Sequence, residues 1–494
     1  MAEDREKQDT REKQNTRKSV YFVSLGCPKN RVDSEVMVGV ARSSGYEIVA
    51  DAEEAETIVI NTCGFIGEAK KESIDTILEL SELKKHGTCE RLVVTGCLSQ
   101  RYPTELGAQM PEVDHFLGSS DMLKLGDVLR GGAERMLVGH PADWVVSAND
   151  PRVLTGTHVH AYVKIAEGCN RVCSFCTIPE FRGKQRSRAI DDIVREAEQL
   201  AAQGVVELNL ISQDTIAYGR DLAKHDRGSL AALAKRVAEV EGIRWVRLFY
   251  LYPETIDEEL IEVLAHHPRV VPYVDMPLQH ASDAMLRRMK RGHGADRQRR
   301  VVERMRKEIP GLTFRTAFIV GHPGETDEEF QELCDFVSWA KFEHVGVFRY
   351  SDEESCKSYG FESKVPPLVA ANRYRKLMAL QRRIARKANR ARIGQELDIL
   401  VEGPSEEHDF VMAGRHAGQA PEIDGQVYLS GAEVLAGQIR RVRISQASDY
   451  DLVGDVIDEA SFDPPSPSSP RKRRIALKML DAPAPLASPT TEWR

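Results

Sequence analysis

Residues 167–183 read EGCNRVCSFCTIPEFRG, and this stretch decides how the rest of the chain is read. It sets Cys169, Cys173 and Cys176 in a C-x3-C-x2-C run. Three thiolates this close in sequence can grip one soft metal centre. An iron-sulfur cluster suits them better than zinc, because a structural zinc site takes four protein ligands and no fourth stands nearby in sequence. Zinc with a distant fourth ligand, and a loop with incidental cysteines, are the competing readings. Three ligands on a cubane of four irons leave one iron open to a substrate or cofactor, so the run points to chemistry more than support.

Outward from this loop, HAYVKIAEGC (160–169) is a strand that runs straight into it. Five more apolar strand candidates follow, VVELNLIS (205–212), WVRLFYLYP (245–253), VPYVDMPLQ (271–279), TFRTAFIVG (313–321) and HVGVFRYS (344–351). Helical patterns separate them, at 191–204, 229–242, 257–267, 282–292 and 327–341. Strand and helix in alternation imply parallel strands and a partial (β/α)6 barrel, with functional groups at the carboxyl ends of the strands. The cysteine loop therefore opens at the barrel mouth. Gln213 and Asp214 after the second strand, Gln279 and His280 after the fourth and Glu325 after the fifth are candidates for binding the polar groups of a cofactor. Arg182, Arg186 and Arg188 form a basic loop that either meets an acidic group or faces solvent.

Before the barrel a second pattern recurs. VYFVSLGC (20–27), TIVINTC (57–63) and RLVVTGC (91–97) are β-branched runs that each end in a cysteine, with helical stretches at 33–46 and 69–87 between them. A parallel sheet follows, because a parallel crossover takes about a dozen residues or more. Cys27, Cys63 and Cys97 then leave their strands at the same edge, the one that carries ligands in open parallel sheets. Singly each would read as a small buried hydrophobe; the repeated placement argues for a shared site. Gly26, Gly64 and Gly96 would relieve crowding near a bulky group, and Asn61 adds a polar side chain. Cys89, Cys334 and Cys356 are assigned to no site.

After the barrel, 367–393 reads as a long basic helix, and from Gly394 short alternating runs with Gly turns suggest a small β-barrel. That last domain is acidic. Residues 394 to 459 hold fourteen Asp and Glu against four Arg and no Lys, a balance that repels a phosphate backbone and favours a basic protein partner. Glu402, Glu406, Glu407, Asp409, Glu422 and Asp424 are the expected docking carboxylates. The expected division is a disordered tail at 1–18, a sheet domain at 19–150, the barrel and its trailing helix at 151–393, the β-barrel at 394–459 and a second disordered tail at 460–494.

The composition bounds the class. Of 494 residues, 41% are hydrophobic and 29% charged, as in a globular protein, and a formal charge of −8 gives no support to a protein that coats nucleic acid. No apolar run is long enough to span a bilayer and the N-terminus lacks an apolar signal core, so a cytoplasmic location is expected. Nine cysteines, an odd number, then argue for metal or catalytic use over disulfides.

The three-cysteine run resembles the radical S-adenosylmethionine (SAM) superfamily. The full order of parts, over roughly 19 to 458, resembles the radical SAM methylthiotransferases, whose last domain is called TRAM. SLGCPKN around Cys27, PLQHAS around Gln279 and FIVGHPGET resemble the RimO branch, which modifies ribosomal protein S-12 of the small subunit. The tRNA-modifying MiaB branch tends to have GCQMN at the first cysteine and a more basic last domain. The resemblance implies two [4Fe-4S] clusters, one on Cys169, Cys173 and Cys176 that cleaves SAM to a radical, and one on Cys27, Cys63 and Cys97 that carries the sulfur. It implies Gln213, Asp214, Gln279 and Glu325 as SAM contacts. The substrate it implies is an aspartate β-carbon of ribosomal protein S-12, served by an electron donor and a sulfur source; the acidic last domain disfavours tRNA as the substrate, and no membrane partner is expected. A tRNA adenosine methylthiotransferase and a non-enzymatic two-cluster electron carrier are the alternatives.

Overall fold

The computed structural model describes residues 18–224, 227–254, 256–405, 411–457, 461–462 and 478–481. The chain folds as two compact units, the first of which runs to Gly156 and includes Glu180–Gly183. Its strands are β1 Ser19–Gly26, β2 Glu47–Ile48, β3 Thr57–Thr62, β4 Arg91–Gly96, β5 His115–Leu117 and β6 Met136–Leu137. They lie in the order β2-β1-β3-β4-β5-β6, every pair parallel. The long β-branched runs arise because both faces are covered. Val20, Phe22, Val59 and Val93 enter one core with helix α1 (Pro28–Ser43), while Tyr21, Ile58, Ile60 and Val94 enter another with Ile77 of α2 (Gly67–Ser81). The short strands β2, β5 and β6 escaped the sequence reading, since two or three residues carry no periodicity.

The first unit also runs past the expected boundary at 150. The Arg152 guanidinium pairs with Glu35 at 2.6 Å and the Thr155 hydroxyl donates to Glu35 Oε1 at 2.9 Å, which fastens 151–156 to α1. The expected tail at 1–18 lies outside the described residues apart from Lys18. Of the second tail, Lys478–Asp481 are not disordered but pair in parallel with β1, and Ile439 accepts from Ser461.

In the second unit, β7 (His160–Lys164) leads to β8 (Ala166–Glu167), which pairs antiparallel with β9 (Arg186–Ser187) and closes the cysteine loop. The sheet continues with β10 (Glu207–Ile211), β11 (Trp245–Leu248), β12 (Val270–Asp275), β13 (Thr313–Val320) and β14 (His344–Arg349). Its order, β14-β13-β12-β11-β10-β7, is wholly parallel, the open six-stranded barrel that the alternation predicts. An amphipathic helix missed in the sequence, Ala295–Glu308, stands between β12 and β13. The helix after β13, α3 (Asp327–Ala340), begins in a capping box. Thr326 accepts from the Glu329 amide at 3.2 Å and the Glu329 carboxylate accepts from the Thr326 amide at 2.8 Å. The basic helix α4 (Pro367–Arg390) buries one stripe, Ala370, Arg373, Leu377, Gln381 and Ala385.

Strands β15 (Glu396–Pro404), β16 (Met412–His416), β17 (Val427–Ser430), β18 (Ile439–Ala447) and β19 (Leu452–Val456) close a barrel in the order β15-β16-β17-β19-β18. This small barrel docks on the amino-end half of the parallel sheet. Glu207, the first residue of β10, receives Arg247 at 2.9 Å and Arg415 at 2.6 Å, and Arg415 also pairs with Glu402 at 2.8 Å. His160, the first residue of β7, meets Glu402 at 3.2 Å, and Tyr273 donates to Asp424 at 2.7 Å.

This corrects the docking expectation. Glu402 and Asp424 hold the small barrel to the sheet and are turned inward, whereas Glu422, beside Tyr162 and His160, stays partly exposed. Glu396 and Asp398 pair with Arg443 and Arg441, and Asp449 with Arg386. Glu406, Glu407 and Asp409 lie outside the described residues.

The clasp should respond to acid. Burial raises the Glu402 carboxyl, but Arg415 and His160 more than offset it, and the net shift is downward from 4.5. A depressed carboxyl stabilises the fold above its unfolded value and loses that contribution as the pH falls through the folded one. Glu402→Gln is therefore expected to cost about 1.5–3 kcal/mol at pH 7. In urea unfolding, its difference from wild type should shrink as the pH drops below 4.5.

Candidate iron-sulfur and cofactor sites

In the first unit β1, β3 and β4 are neighbours, so Cys27, Cys63 and Cys97 leave three adjacent strands at one edge. Cys27 caps α1 and Cys97 opens a short helix, Cys97–Arg101. Two glycines make the approach possible. A Cβ on Gly26, at φ +91°, would stand 2.8 Å from Cys63 Cβ and 3.1 Å from its Sγ. A Cβ on Gly96, at φ +97°, would stand 2.3 Å from Asn61 Oδ1. The crowding these glycines relieve comes from the neighbouring loop itself.

Asn30, in the CPKN of the first cysteine motif, ties the loops together. Its amide donates to Leu25 O at 2.9 Å and Thr62 O at 3.0 Å, bridging the ends of β1 and β3. Asn61 donates to Asn30 O at 2.8 Å and Ser34 Oγ at 2.9 Å, while its Oδ1 and the Ser99 hydroxyl are buried without a hydrogen-bond partner. Burial pushes the Cys63 thiol up, and the nearby Cys97 and Cys27 push it further. Burial also raises Cys97, opposed by Arg182, whose guanidinium donates to Cys97 Sγ at 3.1 Å.

In the second unit the three-cysteine loop is held by cations and an aromatic ring. The Arg171 amide donates to Cys169 Sγ at 3.4 Å and Arg291 Nη1 to Cys173 Sγ at 3.4 Å. Both guanidinium groups lie on the Tyr252 ring, at 3.6 Å and 4.2 Å from its centroid. Arg171 also pairs with Asp214 and with Glu254, each at 2.6 Å. Burial pushes the Cys169 thiol up to about 11, partly offset by the Arg171 amide.

Buried polar atoms without partners gather in this unit's cysteine loop and after β10. They are Thr177 Oγ1, the Gln185 amide, Gln213 Oε1 and Asp214 Oδ1. Such atoms are costly unless a ligand or water meets them, which fits a polar cofactor. Among the described residues no three acidic, histidine or cysteine side chains surround a single-ion point. Three soft sulfur donors in each set are the donor type that an iron-sulfur cluster takes.

Three family profiles match the chain: the Radical SAM superfamily over 163–337, the Uncharacterized protein family UPF0004 over 19–118 and the TRAM domain over 393–457. The "Ribosomal protein uS12 methylthiotransferase RimO" of Sorangium cellulosum (strain So ce56) is 68% identical, covering 94% of this chain and 97% of its own. The RimO proteins of Myxococcus xanthus (strain DK1622) and Anaeromyxobacter sp. (strain Fw109-5) are each 48% identical, covering 96% and 89% of this chain and 97% and 93% of their own. The chain belongs to the RimO family of radical SAM methylthiotransferases.

Membership in the radical SAM superfamily implies SAM and a [4Fe-4S] cluster. Among the described residues no helix is long and apolar enough to cross a membrane. In this RimO-family chain the other expected site residues fall into two groups. Gln213 and Asp214 follow β10 with unpartnered oxygens, Gln213 donating to Glu167 at 2.5 Å. Gln279 is half-buried, holds φ +72° and bridges to Phe318. Glu325 differs: His280 at 3.1 Å takes one oxygen, and Arg373 at 2.7 Å and the Gly321 amide share the other. His280 is thus spent on Glu325.

The arginine loop also divides. Arg188 pairs with Asp192 and Glu196, and Arg182 with Asp33 and Cys97 in the first unit. Cys356, given no role from sequence, is buried; burial raises the Cys176 thiol, and Cys173, Cys169 and Cys356 raise it further. The Cys356 loop is tied to the cysteine loop by the Ser358 amide and hydroxyl, which donate to Ser174 O at 2.9 and 3.0 Å. Asn30, Arg171, Tyr252 and Arg291 were also missed, because no local pattern marks a residue whose partners lie far along the chain.

Proposed function

We propose that this chain transfers a methylthio group to ribosomal protein uS12, at the β-carbon of an aspartate. The observation that carries the reading is the pair of cysteine sets, three thiols at the carboxyl ends of β1, β3 and β4 and three in the single loop between β8 and β9. Cys169, Cys173 and Cys176 hold the cluster that binds SAM; Cys27, Cys63 and Cys97 hold a second [4Fe-4S] cluster. When bound and reduced, the first cluster with SAM supplies hydrogen abstraction from an unactivated carbon, and the second supplies sulfur.

The side chains prepare these sites in distinct ways. The Arg171 amide and the Arg291 guanidinium donate to Cys169 Sγ and Cys173 Sγ, which orients the sulfurs of the loop. Arg171 fixes one oxygen of Asp214 and leaves the other for the cofactor's hydroxyl or amino groups. Gln213 and Gln279 join Asp214 as SAM contacts. Glu325 is left out of that set, because both its oxygens are committed to orienting the loop after β13. An electron donor and a sulfur source complete the reaction.

The test is reconstitution with both clusters, SAM and a reductant, offering uS12 and tRNA in parallel. Mass spectrometry should find one methylthio group on a uS12 aspartate and unmodified tRNA. Modified tRNA beside unmodified uS12 would give the reaction to the tRNA branch; SAM left whole would favour an electron carrier.

A further inference from the structure

The segment after the three-cysteine run, Glu180–Gly183, belongs to the first unit, where Ser119 donates to Phe181 O at 2.8 Å. There the Arg182 guanidinium donates to Asp33 Oδ2 at 2.9 Å, to Asn30 Oδ1 at 2.6 Å and to Cys97 Sγ at 3.1 Å. All four residues are buried, Asp33 and Asn30 at 0%, Arg182 at 3% and Cys97 at 6% exposure. A buried ion pair is weak evidence for stability, since desolvation offsets much of its attraction and apolar residues of the same volume often do as well. Its position against a cluster thiol calls for another reason. An oxidised [4Fe-4S] core with three thiolates carries a net negative charge, and each added electron or sulfide makes it more negative. Net charge, hydrogen bonds to sulfur and exposure set the potential of such clusters. Arg182 acts on the first two at once.

Resting on the two-cluster reading, we propose that Arg182 is a positioning residue for the N-terminal cluster: its guanidinium, oriented by Asp33 and Asn30, hydrogen-bonds the Cys97 thiolate and stabilises the more negative states of that cluster. The chain that carries Cys169, Cys173 and Cys176 thereby also supplies, six residues after Cys176, the cation that tunes the second centre.

The test uses the full chain with Cys169, Cys173 and Cys176 changed to Ala, so that iron and redox signals come from the N-terminal cluster alone. After anaerobic reconstitution, Arg182→Gln is expected to bind iron and to move the midpoint potential, followed by electron paramagnetic resonance, to more negative values. Arg182→Lys keeps the charge and should bring most of the potential back. If Arg182→Gln binds no iron while Arg182→Lys restores both iron and potential, the charge is again the cause. If neither variant binds iron, packing rather than charge is responsible and the proposal is overturned. An unchanged potential in an iron-loaded Arg182→Gln overturns it as well, leaving the second cluster in place. A parent triple variant without iron defeats the two-cluster reading itself, and the proposal with it.

Discussion

Replacing Cys169, Cys173 or Cys176 with Ala is expected to abolish SAM cleavage, with deoxyadenosine formation falling to background. On the proposed reading each thiol holds one iron, so the loss should be complete. The buried Cys356 is the thiol to control for, since the Ser358 amide and hydroxyl donate to Ser174 O and tie its loop to the cysteine loop. Cleavage that survives in Cys176→Ala but vanishes in Cys176→Ala with Cys356→Ala would mean that Cys356 takes over as ligand. Cys27, Cys63 and Cys97 should behave differently. Their Ala variants should still cleave SAM yet give no methylthio product, because on the proposed reading only the sulfur-carrying cluster is lost. Survival of both activities would make those three cysteines structural, packed like Cys89 in the sheet's core. Deoxyadenosine and modified uS12, measured in the same reactions, separate these outcomes.

The second large effect is on stability and concerns Arg415. This guanidinium is buried between Glu207 and Glu402, at 2.6 and 2.8 Å, and donates to Gln419 O at 2.8 Å. Removing one partner from a buried ion pair costs about 3–5 kcal/mol, because the remaining charges stay desolvated. Arg415→Ala should therefore lower the unfolding transition by that order. Changing Arg415 to Met together with Glu402 to Leu should recover part of the loss, since Glu207 keeps Arg247 as its partner. A wild-type transition in Arg415→Ala would show that the small barrel is not held through this clasp. The clasp lies at the amino end of the parallel sheet, so substrate-free SAM cleavage per folded molecule should be unchanged by any of these substitutions.

How the last domain uses its charge was the least legible feature of the chain. Fourteen carboxylates against four arginines suggested an outward field, but sequence cannot tell an outward carboxylate from one turned to an arginine. Asp424 faces Tyr273 and Arg315, and Glu402 faces His160 and Arg415, so part of the surplus is neutralised inside the unit. Glu325 illustrates the same limit. Its place after β13 was read correctly, whereas its commitment to Arg373, 48 positions on, rests on how α4 packs.

By itself the sequence determined the alternation of strand and helix, the three cysteines at successive strand ends, the three-cysteine loop and the closing β-barrel. These are local properties: β-branched runs, helical periodicity, glycine turns and cysteine spacing are written in neighbouring residues. Only the tertiary structure decided which charges meet. Arg182 reaches Asp33 across 149 positions and Arg415 reaches Glu207 across 208. A hydrogen bond depends on approach to within about 3 Å, and that approach is set by the packing of whole elements, not by any pattern near either residue.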